Sequence, residues 1–298
     1  MILGVLYALL SAMCFAVNRV SVRKGALVGD VYIGTILTVF IGPFIIGLYA
    51  LLVGQMSMVT QFSLKGYIAL IIAGIIHFFV GRFLTYHAIH YLGANRVGVL
   101  SSLVPLWSIF LGILVLNERL SLPMSIGIFL ILGGTFLASY KPVGGKPISR
   151  QDFIRGLILA CLGSVAYGTS PVFIKMGMTV NAPVAAALIS YLSACVVVLL
   201  MLAVKPEVRQ RMGRLKGAGG GSFLVAGFTV AFAQIFRYSA LALIPVSLVS
   251  PIQYTNTLMT IGIAFLLLRE VESFTPQVLG GAVLTFGGIL LIFAGRAF

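Results

Sequence analysis

The chain has 298 residues, of which 60% are hydrophobic and only 9% are charged, and its mean hydropathy is +1.13. Average soluble domains carry roughly 25% charged residues, so soluble, disordered and fibrous classes are excluded at the start. The charges are 20 Lys or Arg against 6 Asp or Glu, a net +14. Windows of about 20 apolar residues, the length that crosses a bilayer core, predict ten membrane helices. They cover roughly 2–22, 31–53, 66–89, 97–117, 121–140, 153–175, 182–204, 219–243, 246–268 and 274–294. The first runs into Asn18-Arg19 with no basic leader and no small-residue cleavage pattern, so it is expected to be a span and not a signal peptide. Gly, Pro and charged clusters punctuate the rest, as at Lys141-Pro-Val-Gly-Gly-Lys146. Asn117-Glu-Arg-Leu-Ser121 and Leu243-Ile-Pro-Val246 are expected to be tight turns. No window alternates in polarity as a barrel strand would. Cys14, Cys161 and Cys195 all fall in apolar runs and imply no disulfide framework.

The chain repeats itself at an offset of 152 residues. Gly4 meets Gly156, Tyr86 meets Tyr238, Glu118 meets Glu270 and Ser121 meets Ser273. After a shift of two, Gly133-Gly134 falls on Gly287-Gly288. Five helices are thus followed by five of the same kind. Five is odd, so the second set must enter the membrane from the opposite side. The expected architecture is all-α and integral to the membrane, with two five-helix inverted-topology repeats at 1–140 and 153–298 joined by a linker at 141–152.

This pattern resembles the drug/metabolite transporter superfamily, in its EamA-like ten-helix branch. The resemblance rests on the five-plus-five repeat, on the Pro105-to-Glu118 run with its partner Leu258-to-Glu270, and on the two Gly-Gly pairs. It covers nearly the whole chain. It implies a metabolite, amino-acid or drug transporter whose central cavity is lined by the first four helices of each half. One departure is that the Trp common near the end of the family's first helix is absent, with Phe15 and Tyr167 in that region.

Orientation follows from the cations. On the side opposite the termini lie Arg23, Lys24, Arg96, Lys141, Lys146, Arg150, Arg155, Lys205, Arg209, Arg211, Arg214, Lys216 and Arg269. On the terminal side lie Lys65, Arg119, Lys175 and Arg296. Because cytoplasmic loops collect Lys and Arg, the expected placement is the plasma (inner) membrane with both termini outside and the linker in the cytoplasm.

The remaining cations are inside spans. An Arg at a helix centre costs about 2.5–3.5 kcal/mol. Arg82 and Arg237 lie about two-thirds along the third and eighth windows, and Arg237 aligns with Thr85, one helical turn past Arg82. Asp30, Asp152 and Glu207 are in loops, and Glu118, Glu270 and Glu272 are at helix ends. The two arginines therefore have no carboxylate near them. Two roles fit: an electropositive cavity for a carboxylate or phosphate, or structural capping of carbonyls and snorkelling. Arg19, close to Arg23 and Lys24, is expected to snorkel. Its neighbour Asn18 aligns with Ser170, in the run Tyr167-Gly-Thr-Ser-Pro171, which either loosens its helix to free carbonyls or merely kinks it. His77 could titrate during a transport cycle or be held as a bonded side chain. Ser101, Ser102, Pro105 and Trp107 match Gln253, Tyr254, Thr255 and Asn256 in depth, which fits either a polar cavity or interhelical hydrogen bonds. The substrate candidates are Arg82, Arg237, His77, Asn18, Tyr167, Ser170, Gln234, Gln253, Tyr254 and Trp107. Gly127 with Gly134, and Gly281 with Gly288, are expected to pack the fifth and tenth spans closely as scaffold.

The expected function is a secondary transporter working by alternating access on a small metabolite, an amino acid or organic anion among the options. There is no nucleotide-binding loop, and no cofactor or metal is expected. The expected partners are a small-molecule substrate and the lipid bilayer, with no nucleic acid, and with the oligomeric state left open. An intramembrane enzyme would need a nucleophile with a base, or paired acids at depth, and neither is present; a non-transporting scaffold is the other alternative.

Overall fold

The computed structural model describes residues 1–26, 31–92, 94–139, 149–204, 220–268 and 276–295. Outside these lie most of the 141–152 linker, Asp30, Glu207, Glu270 and Glu272, and the loop cations of 205–216 together with Lys141, Lys146, Arg269 and Arg296. Every regular element among the described residues is helical.

The first half contains α1 (Ile2–Ala26), α2 (Val31–Leu52), a short turn of 3-10 helix (Met56–Thr60), α3 (Leu64–Ile75), a π-helical segment (Ile76–Gly81), α4 (Arg82–Leu92), α5 (Ala94–Leu100), α6 (Leu103–Leu116) and α7 (Leu122–Ser139). The second half contains α8 (Arg150–Gly177), α9 (Pro183–Val204), α10 (Gly220–Leu243), α11 (Val246–Tyr254), α12 (Asn256–Leu268) and α13 (Pro276–Ala294). Seven helical stretches among the described residues are long and apolar enough to cross a membrane, and Ile36–Leu52 and Leu122–Ala138 are shorter apolar helices. The ninth window is cut into α11 and α12 at Thr255, and the fourth is cut at Ser101-Ser102 into α5 and α6.

Local chemistry sets several ends. Ser63 Oγ accepts the Gly66 N–H at 3.1 Å to cap α3. Ser149 does the same for Asp152 at the start of α8, and both satisfy a donor that the first turn leaves open. Gln55 Oε1 accepts the Val184 N–H at 2.9 Å, which caps α9 from the facing half. Asn117 ends α6 in the left-handed region, with φ 53°; Asn tolerates this conformation better than most residues.

The outer surface is apolar: Phe44 is 77% and Phe129 73% exposed. With seven membrane-length helices, that surface is the one lipid covers. The interior mixes Ile, Leu, Val and Tyr with stripes of small residues. Ala8, Ala12 and Ala16 form the buried stripe of α1, and Ala185, Ala186 and Ala187 are fully buried on α9. Helix pairings come in matched sets. The α1–α10 contact has its counterpart in α8–α4, α6–α8 in α12–α1, and α3–α9 in α10–α2, while α7–α13 and α2–α9 map onto themselves. Exchanging the halves reproduces the contacts.

Glycines bring α7 and α13 together. A Cβ on Gly127 would meet the Gly288 carbonyl oxygen at 2.6 Å, and one on Gly134 would meet that of Gly281 at 2.5 Å. Gly133 and Gly287, the other members of the Gly-Gly pairs, face open space.

The run from Tyr167 to Pro171 does not loosen its helix. α8 continues through Pro171 without interruption. Thr169 Oγ1 bonds back to the Val165 carbonyl at 2.7 Å, and packing on both sides holds the turn where the proline N–H is missing. The interruptions lie elsewhere, in the third, fourth and ninth spans.

Candidate functional site

A cavity of about 290 Å³ sits between the two halves. Its walls carry Asn18 and Arg19 from α1, His77 from the π segment, Arg82 and Thr85 from α4, and Ser101 from the α5–α6 junction. From the second half come Tyr167 of α8, Gln234 and Arg237 of α10, and Gln253, Tyr254 and Asn256 around the α11–α12 junction. None of the described residues that line it is acidic.

The π segment explains how His77 and Arg82 share this cavity. Five residues apart on an α-helix, they would point about 140° away from each other. A π turn closes i to i+5, which stacks positions five apart on one face. The wider turn also places Gly81 against the Tyr167 ring, where a Cβ would come within 3.1 Å. On α10 the register is ordinary, and Gln234 and Arg237, three apart, share a face without help.

Wall positions repeat at the sequence offset. Arg82 and Thr85 correspond to Gln234 and Arg237, Phe15 to Tyr167, Arg19 to Pro171, and Ser101 to Gln253, and all of these line the cavity. Each half thus contributes one arginine from the same helical face, displaced by one turn.

Arg237 is 5% exposed. Its Nη1 stands 3.2 Å from both ring nitrogens of His77, and Gln234 Nε2 is 3.3 Å from His77 Nε2. The imidazole packs edge-on against Tyr167, with centroids 5.0 Å apart. Tyr167 and Arg82 lie on the same wall of the cavity. Three atoms of this cluster are buried with no partner: Arg82 Nη1, Arg237 Nε and Gln234 Oε1. Each such group costs about 1–3 kcal/mol, more where the group is charged. Two of the three are guanidinium donors, so the group that would relieve them is an acceptor, best an anion.

Around this cluster the polar wall is tied down. Gln253 Nε2 donates to Ser11 Oγ at 2.6 Å, and Ser11 Oγ donates to the Ala233 carbonyl at 2.7 Å. Asn18 Nδ2 donates to the Ala226 carbonyl at 2.7 Å. The Tyr254 hydroxyl reaches the Gly98 carbonyl at 3.4 Å. Two sequence candidates stand outside the lining. Ser170 is fully buried and directed at the Ala73 carbonyl, 3.3 Å away, holding α8 to α3. Trp107 donates its indole N–H to Thr169 Oγ1 at 2.9 Å and stacks near Phe110.

Sequence reasoning missed two residues. Arg19 was expected to snorkel toward the headgroups; it lines the cavity instead, with Nη1 3.5 Å from Thr257 Oγ1. The usable signal was its place on the Ser11-Phe15-Asn18 face of α1, which turns inward. Glu118 was expected only as a helix end. It reaches into the other half and accepts the Val246 N–H at 2.6 Å and the Ser247 N–H at 2.9 Å, capping α11. Arg82 also borders a second, mostly apolar pocket of about 70 Å³ with Ile36, Phe78, Phe83 and Met201. Among the described residues no three His, Cys, Asp or Glu side chains gather as metal ligands would.

The EamA-like transporter family model matches residues 2–140 and again residues 154–294. No curated protein matches the chain. Among solved structures 27 chains match. One, a crystal structure of a protein with 17% identity, covers 99% of this chain and 98% of its own at a TM-score of 0.78, a likeness of fold. With the family model matching twice over nearly all of its length, this multi-pass membrane chain belongs to the EamA-like transporter family.

Proposed function

We propose that the protein is a secondary transporter that moves a small anionic metabolite, carrying a carboxylate or a phosphate, by alternating access. The single observation that carries this is the acid-free cavity into which three arginines project, with guanidinium atoms of Arg82 and Arg237 buried and unpartnered. Arg82 and Arg237 would grip the anionic group, with His77, Gln234 and Tyr167 beside it. Asn18, Gln253 and Tyr254 would shape the remainder of the site. Ser170 and Trp107 would act as supports behind the wall.

Ten spans in two inverted repeats, 1–140 and 153–298 with a linker between, are the architecture this mechanism needs. The double family match and the contacts that survive exchange of the halves support it. The split fourth and ninth spans add to it, since broken helices near the midplane are a common way to build a transport site. On the cation bias, the protein sits in the plasma (inner) membrane with its termini outside. A C-terminal reporter active only in the cytoplasm tests that orientation, and a strong signal would reverse it.

The function is tested by counterflow in proteoliposomes against amino acids, organic anions, sugar phosphates and cations. Exchange of an anion class is expected. Arg82→Gln and Arg237→Gln should each cut it by roughly ten- to a hundredfold, the worth of a charge-assisted hydrogen bond of about 1.5–3 kcal/mol. Undiminished exchange in both variants, or exchange of cations alone, would refute the anion reading.

A further inference from the structure

His77 occupies an unusual position for a side chain that can carry a proton. It is presented to the cavity by a π turn inside a membrane span. Facing it from α10 are Arg237 and Gln234. Arg82 shares its cavity from α4, with Tyr86 beside Arg82 in the neighbouring pocket, and Tyr167 from α8 packs on its ring. Behind it, Phe78 stacks on Tyr191 of α9, with Tyr238 of α10 buried nearby. Arg19 lies across the same cavity. None of these groups is a carboxylate.

Donor counting favours a neutral ring beside the two arginines. A guanidinium has only donors, and an imidazolium has only donors. Arg237 Nη1 stands 3.2 Å from both ring nitrogens, and a neutral ring with an accepting nitrogen suits that approach where an imidazolium would repel it. A proton on His77 would add a third positive charge beside Arg237 and Arg82. An anion bridging the two arginines changes this balance. It neutralises the charge that opposes protonation, draws the Arg237 fork away from the ring, and supplies an acceptor for a new N–H. Gln234 can turn its amide so that Oε1, now without a partner, accepts from the other ring nitrogen.

Resting on the anion reading above, we propose that His77 couples transport to protons: it takes up one proton with each anion that Arg82 and Arg237 bind, and releases it when the anion leaves. The proton comes from water on the side to which the cavity is open and returns to water on the other side, so one anion and one proton cross together. No other redox or group-transfer partner is required. Among the described lining residues there is no carboxylate, the common proton carrier of transporters, and His77 is the one side chain that changes charge near neutral pH.

Sulfate and ethanesulfonate serve as probes, because neither takes up a proton near neutral pH and any proton bound must go to the protein. Their binding to the purified full chain is measured calorimetrically near pH 6.5 in two buffers with different ionisation heats. The expected result is uptake approaching about one proton per anion bound. In His77→Gln, which keeps an acceptor and a donor at that place, anion binding should weaken without being lost, and the binding that remains should carry no proton uptake; His77→Asn is the second variant. In proteoliposomes, His77→Gln should lose the response of anion accumulation to a pH gradient, read as the ratio of pH-driven uptake to the variant's own counterflow. Binding without proton uptake by the unsubstituted protein overturns the coupling and leaves the anion reading standing. The same uptake in the His77 variants overturns the assignment to this residue. Failure of both probes to bind overturns the anion reading itself.

Discussion

The α7–α13 pair and the cavity wall are built from opposite rules. Where α7 meets α13, backbones touch through Gly127, Gly134, Gly281 and Gly288, and both helices run unbroken. At the cavity, the third span is widened by a π turn, the fourth and ninth are split, and charged nitrogens lie buried without partners. A protein satisfies its local rules where it needs rigidity and departs from them where it works. The first region is a hinge-free scaffold. The second stores unsatisfied bonding capacity that a ligand can complete.

The largest effect should come from filling the scaffold contact. Gly134→Leu forces atoms into the Gly281 backbone, where even a Cβ would stand 2.5 Å from its carbonyl oxygen. A loss of about 3 kcal/mol is expected, seen as a sharp fall in folded yield and in thermal midpoint. Gly133→Leu is the control, because nothing lies within 4 Å of its Cβ position. It should stay within about 0.5 kcal/mol of the parent. Equal damage from both would mean that α7 is loosely placed and that the contrast between the regions is false.

Glu118 joins the two regions, since it leaves the α6–α7 turn to cap α11 in the other half. Glu118→Ala strands two amides at a helix start, with a cost of about 1–2 kcal/mol in thermal unfolding. Glu118→Gln retains one acceptor and should lose roughly half as much. If Glu118→Ala is neutral, the cap is idle and the contact between the halves at this point is held by something else.

The scaffold was the readable part of the sequence. Small residues seven apart on two aligned spans state their purpose, because only close backbone approach rewards glycine in a membrane helix. The repeat was readable too, through Glu118, Tyr86 and the Gly-Gly pairs. The cavity was readable only in pieces. Arg82 and Arg237 could be given a shared cavity, but His77 could not be joined to them. A π turn leaves no mark in composition, and without it His77 and Arg82 belong to different faces. The splits at Ser101-Ser102 and Thr255 were hidden for the same reason, since apolar windows count residues and not hydrogen bonds. Arg19 was misjudged because sequence distance from a helix end says nothing about rotation. Its direction is set by the alanine stripe of α1 packing on α10.

Trp107 marks the finest boundary between the two regions. Its ring stands one layer behind the wall, and its indole N–H is already spent on Thr169 Oγ1 at 2.9 Å. Thr169 in turn donates its hydroxyl to the Val165 carbonyl, so the indole is tied to the α8 backbone. Trp107→Phe removes one interhelical hydrogen bond and little volume. Such bonds average about 0.6 kcal/mol within membranes, so the expected loss of stability is small. Anion exchange should be unchanged, because no atom of the lining has been altered. A tenfold fall in exchange with folding intact would instead place Trp107 in the substrate's path, and the cavity would then extend through the wall that α6 and α8 form.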